Sequence, residues 1–246
     1  MKKTLVVLSV LSLAAGAAFG LNPICPPGVY IADPEARQMP DGRVYVYGSR
    51  DEPGNTWCSR SYNVISSRDL KTWVLDQTSF ATAGAGKQTD YTDAILYAPD
   101  CIHKEGTYYL YYCLASGGEN EGVATSKSPY GPFVKGHKFA GISGIDPSVF
   151  IDDDGQGYLY WGQGSAKVAK LTPDMLDIDR STIRDGVIIH RNGKYIEGPA
   201  AATTNEHWFN EGSSVRKRNG IYYYVYAQGG RHTRGCCACL AYATST

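Results

Sequence analysis

Residues 145–162 read IDPSVFIDDDGQGYLYWG, and the rest of the chain is best understood from this stretch. The apolar run Val149 to Ile151 leads into the acidic turn Asp152 to Gly155, and then into Tyr158, Leu159, Tyr160 and Trp161. Asp and Gly favour turns, whereas aromatic and β-branched residues favour a pleated surface, so the order specifies strand, turn, strand. Asp146 stands nine residues ahead of Gly155.

The same arrangement recurs on both sides. Asp33 precedes Gly42 by nine residues in ADPEARQMPDGRVYVYGSRD (32–51), and Glu211 precedes Gly220 by nine in NEGSSVRKRNGIYYYVYA (210–227). In LYAPDCIHKEGTYYLYY (96–112) the same offset from Gly106 falls on Tyr97. Each hairpin continues into a strand carrying Ser or Thr, as in YNVISSRDLKTW, GVATSKSPYGPF and LAYATST. No segment sustains a helical period. Four divergent units of about four strands each indicate an all-β fold of the propeller type, although periodicity alone also fits a sandwich or barrel. The fourth unit stops after LAYATST, so three and a half to four blades are read in an incomplete ring.

Composition narrows the function. Lys and Arg total 24, as do Asp and Glu, which gives no electrostatic footprint for nucleic acid. Lys2 and Lys3, the apolar run Thr4 to Leu13, and small residues up to Gly20 read as a secretory signal peptide over residues 1–20. The expected domain is then residues 21–246, secreted or periplasmic, with no membrane segment in the mature form. Seven cysteines are present, an odd number. Cys101 and Cys113 lie in one hairpin and pair only if its register sets them opposite one another. The run Cys236, Cys237, Ala238, Cys239 lacks the second pair that a zinc site needs.

Three carboxylates at one offset of three repeats suggest a site built from acids. Each has a plainer reading, since Asp before Pro, as in Asp33-Pro34 and Asp146-Pro147, is common in turns. The motifs quoted above, in this order, resemble glycoside hydrolase family 43, whose members include arabinofuranosidases, xylosidases and arabinanases. The resemblance runs from about Val29 to the C-terminus. It implies a five-bladed β-propeller, truncated at its C-terminal end, and an inverting glycosidase acting on plant cell-wall polysaccharide or oligosaccharide.

The resemblance further implies that Asp33 is the general base, Glu211 the general acid, and Asp146 the residue that orients the acid and tunes its pKa. Inversion needs one carboxylate to activate water and one protonated carboxyl to protonate the leaving oxygen. Glu197, in YIEGPAA, is a rival acid, but it misses the repeat offset. Tyr97, Asp100, Arg37, Trp161 and His232 are candidate substrate-binding residues, with packing, turn capping or ion pairing as the alternatives. Trp208 is a further candidate sugar platform. No cofactor is expected to be required. Asp152, Asp153 and Asp154 look like a structural calcium loop, with a solvated turn preferred, and a central cation held by His232 is the other metal reading. The rival functional class is a carbohydrate-binding propeller without catalysis.

Overall fold

The computed structural model describes residues 24–25, 28–51, 58–188, 209–228 and 239–246. Strands β1 (Ala32–Gln38), β2 (Val44–Ser49), β3 (Ser61–Ser67) and β4 (Val74–Ala81) form the first antiparallel sheet. The second contains β5 (Asp100–Lys104), β6 (Thr107–Cys113), β7 (Glu121–Ser126) and β8 (Val134–Lys138). The third contains β9 (Ser148–Ile151), β10 (Gly157–Trp161), β11 (Lys167–Lys170) and β12 (Arg184–Asp185). The fourth has three strands among the described residues: β13 (Phe209–Arg218), β14 (Ile221–Gln228) and β15 (Cys239–Ser245).

Each sheet is a simple up-and-down meander, and the first strands β1, β5, β9 and β13 pack in succession. Among the described residues, that is a β-propeller of four blades. On the remaining side β13 reaches β1 through Arg216, whose guanidinium pairs with Glu35 and donates to the Ala36 carbonyl at 3.1 Å.

The aromatic sequence of the hairpins follows from this stacking. A blade between two others is buried on both faces, so both phases of its period-two pattern must be apolar. On β6, Tyr108, Leu110 and Tyr112 enter the core shared with the first blade, while Tyr109 and Tyr111 face the third. On β10, Leu159 and Trp161 face back towards the second blade, and Tyr158 and Tyr160 towards the fourth. The fourth blade buries Phe209, Val215, Tyr224 and Tyr226 on one face. On β15, Leu240 and Tyr242 are 82% and 71% exposed.

Trp161 is 1% exposed within the core between the second and third blades, and its indole N–H donates to Ser143 O at 3.3 Å. It is therefore a packing residue, and the expectation of a sugar platform there is corrected. Truncating a buried Trp to Ala typically costs about 3–5 kcal/mol. Cys101 stands opposite Leu110 and Cys113 opposite Glu121, so this register does not pair the two thiols. Both are free and buried.

Candidate functional site

Asp33, Asp146 and Glu211 come together in one cavity of about 490 Å³, also lined by Tyr97, Ile145, Gln163 and Asn210. The equivalent offset positions of all four units thus lie at one end of the ring. Asp33 and Asp146 both adopt the left-handed backbone region, with φ of 47° and 56°. Asp tolerates that region better than most residues, and backbone strain of this kind concentrates at functional sites. In the fourth blade the positive φ, 69°, falls one residue later on Gly212. The ladder is irregular after Ala32 in β1 and on both sides of Glu211 in β13, and such bulges re-aim a side chain away from the sheet.

Among the described residues none of the three acids has a cationic partner. Burial raises the pKa of Asp33, and the charges of Asp51 and Glu211 add to the rise, against a lowering hydrogen bond from Ser49. Asp146 is pushed up to about 7, first by burial and then by Glu211 and Asp33, with the Gly212 N–H opposing. Asp33 and Asp146 are thus made harder to ionise by burial and by the charges around them. Its floor is dry. Asp146 N–H donates to Cys113 Sγ at 3.3 Å, and Glu121 nearby is fully buried, its carboxyl held well above the usual range by desolvation.

Tyr97 lines the cavity, anchored by its N–H to Cys113 O at 3.0 Å and by the Tyr62 hydroxyl donating to its carbonyl at 2.6 Å. Asp100 and Arg37 do not reach the cavity, which corrects their reading as substrate ligands. Arg37 Nε and Nη2 donate to the two carboxylate oxygens of Asp100 at 3.1 and 2.5 Å, and Nη2 also donates to Val149 O at 2.6 Å. Asp100 in turn accepts the Val149 and Cys101 N–H groups, and is 1% exposed. The pair clamps the first three blades together. Sequence gave each residue polar character but no partner, because Arg37 and Asp100 lie on different units.

The acidic turn also has its partner within the protein. Lys217 Nζ lies 2.8 Å from both Asp152 and Asp153, and the Tyr222 hydroxyl donates to Asp152 at 2.6 Å. A lysine ammonium in that place does not fit a calcium loop. Among the described residues no three His, Cys, Asp or Glu side chains converge to hold a metal ion. His232, Glu197, Trp208 and residues 1–20 lie outside the described residues.

Gln163 and Asn210 were not anticipated. The amide of Gln163 donates to Glu211 Oε2 at 2.9 Å. Its one signal in the sequence is a pair of glycines, Gly162 and Gly164, directly after an aromatic strand.

Residues 21–246 match the family model for glycosyl hydrolases family 43. A xylosidase/arabinosidase of Bacteroides ovatus is 30% identical, covering 89% of this chain and 74% of its own length. Xylosidase/arabinosidase 43A of Humicola insolens is 29% identical over 83% of this chain and 74% of its own. A family 43 β-xylosidase/α-arabinofuranosidase from a compost microbial metagenome, solved with xylotriose in a calcium-free form, superposes with a TM-score of 0.70. It is 27% identical and covers 89% of this chain and 74% of that one.

Proposed function

Because the chain belongs to glycosyl hydrolase family 43, we propose that it hydrolyses O-glycosidic bonds of arabinose- or xylose-containing plant polysaccharides or their oligosaccharides, with inversion at the anomeric carbon. In this reading Asp33 is the general base, Glu211 the general acid, and Asp146 the group that orients the acid and governs the pocket's proton count. The observation that carries it is the convergence of three carboxylates, from three blades, in one cavity without a cation among the described residues. The relatives named as xylosidase/arabinosidase support the sugar class.

Inverting hydrolysis joins water to the anomeric carbon on one face while the glycosidic C–O bond breaks on the other. Asp33 takes a proton from the water, and its raised pKa makes it a stronger base than an exposed aspartate. Glu211 gives a proton to the leaving oxygen. Asp146, at about 7, keeps a proton within the cluster near neutral pH, where an isolated carboxyl would have lost it. Tyr97 offers a ring face for the sugar.

The proposal extends to a five-bladed ring and to export directed by residues 1–20. The relatives, of whose length this chain covers 74%, support a fifth unit. The decisive experiment supplies aryl xylosides, aryl arabinofuranosides and arabinoxylan to the wild type and to Asp33→Ala, with product stereochemistry followed by NMR. Sugar release with an inverted product is expected, abolished in a variant that stays folded. Retained activity in Asp33→Ala would sink the base assignment, a retained anomer would refute inversion, and binding without release would favour a carbohydrate-binding propeller.

A further inference from the structure

The third and fourth blades are tied together at the cavity by a three-residue loop, Gly162–Gln163–Gly164, directly after β10. Gly162 N–H donates to Ile145 O at 2.9 Å, and Gly164 N–H to Asn210 O at 2.7 Å. Ile145 and Asn210 are the residues immediately before Asp146 and Glu211. One loop therefore fixes the main chain beneath two of the three acids. Gly162 has φ of 127°, and a Cβ there would lie 2.2 Å from Ser165 O, so only glycine allows this path. The buried Trp161 anchors the loop at its start. The single side chain it presents, Gln163, lines the cavity and donates from Nε2 to Glu211 Oε2 at 2.9 Å.

We propose that Gln163 is a positioning residue for Glu211, whose amide N–H fixes Oε2 as the carbonyl-like oxygen and leaves Oε1 to carry the proton for the leaving group. The inference rests on the assignment of Glu211 as general acid. A protonated carboxyl has one good acceptor, its C=O oxygen, and one O–H donor. An N–H held on Oε2 selects which oxygen is which. In the reaction the Oε1–H bond breaks and its electron pair stays on the carboxylate, while the proton joins the glycosidic oxygen as that oxygen takes the electrons of the C–O bond. Negative charge then spreads over both oxygens, and a hydrogen bond to a charged acceptor is stronger than one to a neutral acceptor. The amide contact thus tightens as the proton leaves, which is the differential stabilisation that lowers a barrier.

The test uses leaving-group dependence, because a dinitrophenolate departs without a proton whereas a phenolate needs one. The wild type, Glu211→Ala and Gln163→Leu are assayed on dinitrophenyl and phenyl glycosides of whichever sugar is turned over. Gln163→Leu should lose about tenfold in kcat/KM on the phenyl glycoside, the loss expected for one charged hydrogen bond, and less than about twofold on the dinitrophenyl glycoside. Glu211→Ala should show the same selectivity more strongly. If Glu211→Ala is selective but Gln163→Leu falls equally on both substrates, or on neither, Gln163 is not positioning the acid and the inference is overturned. If Glu211→Ala itself shows no selectivity, the acid assignment fails and takes the inference with it. Thermal melting checks folding, and Gln163→Ser, which keeps the loop polar, replaces the leucine variant should that one unfold. Gln163→Asn, with the same donor on a shorter arm, should recover part of the phenyl activity.

Discussion

Two sets of carboxylates in this molecule contrast sharply. In the cavity, Asp33, Asp146 and Glu211 crowd one another without a cation among the described residues. In the walls, Asp100 faces Arg37, Glu35 faces Arg216, and Asp152 faces Lys217. The contrast is starkest within the third blade, where Asp146 and Asp152 flank the short strand β9. Asp146 is raised to about 7 by burial and like charge, while Asp152 is lowered to about 2 by Lys217 and the Tyr222 hydroxyl. Their side chains are chemically identical, and surroundings alone separate a proton-holding group from a permanently charged one. A carboxylate left unpaired in a cluster is costly, and perturbed acids of this kind concentrate at functional sites.

Replacing Asp146 by Asn breaks the contrast most deeply. Turnover should fall by roughly 10²–10⁴-fold, the range for losing a positioned acid–base group. Stability should move the other way at alkaline pH. An acid with a raised folded pKa gives stability that is present below about pH 4 and lost as pH rises to about 7. The variant should therefore melt above the wild type at pH 8, with the advantage shrinking towards pH 4, as read by scanning fluorimetry.

Asp100→Asn attacks the walls instead. It removes the bidentate partner of Arg37 and leaves only Glu35, at 3.6 Å, beside the buried guanidinium, so the cost should approach but not exceed the roughly 3–5 kcal/mol of a fully broken buried pair. Denaturant unfolding should show that loss, while kcat of the protein that remains folded stays close to wild type. A large fall in kcat with unchanged stability would return Asp100 to the cavity.

Asp152→Asn should have the smallest effect. The Lys217 pair is only partly buried, so a shift of roughly a few degrees or less in melting temperature is expected. Its sign is opposite to that of Asp146. An acid with a lowered folded pKa stabilises above about pH 4, and the contribution disappears as pH falls through about 2. The difference from wild type should vanish in acid, and activity should not change.

Sequence made the repeats and the cavity positions legible because both are periodic. The nine-residue offset sets Tyr97 and the three acids at equivalent points of their units, and LAYATST reads as the strand β15. Trp161 misled because a blade between neighbours buries both faces, so exposure cannot be inferred from alternation. Arg37, Asp100 and Gln163 were beyond sequence for a common reason. Each has its role through a partner on another blade, and spacing along the chain carries no information about which blades face each other.

The order of the inner strands has one more consequence. Asp33 belongs to the first blade and Glu211 to the fourth, the two that meet across the side where β13 reaches β1 through Arg216. These two blades carry the acids assigned to water and to the leaving oxygen. Three stacked interfaces, between β1 and β5, β5 and β9, and β9 and β13, join Asp33 to Glu211 in series, and the Arg216–Glu35 pair joins the two blades directly. The Arg37–Asp100 clamp stiffens the first two of those joints, and the Gly162–Gly164 loop stiffens the third.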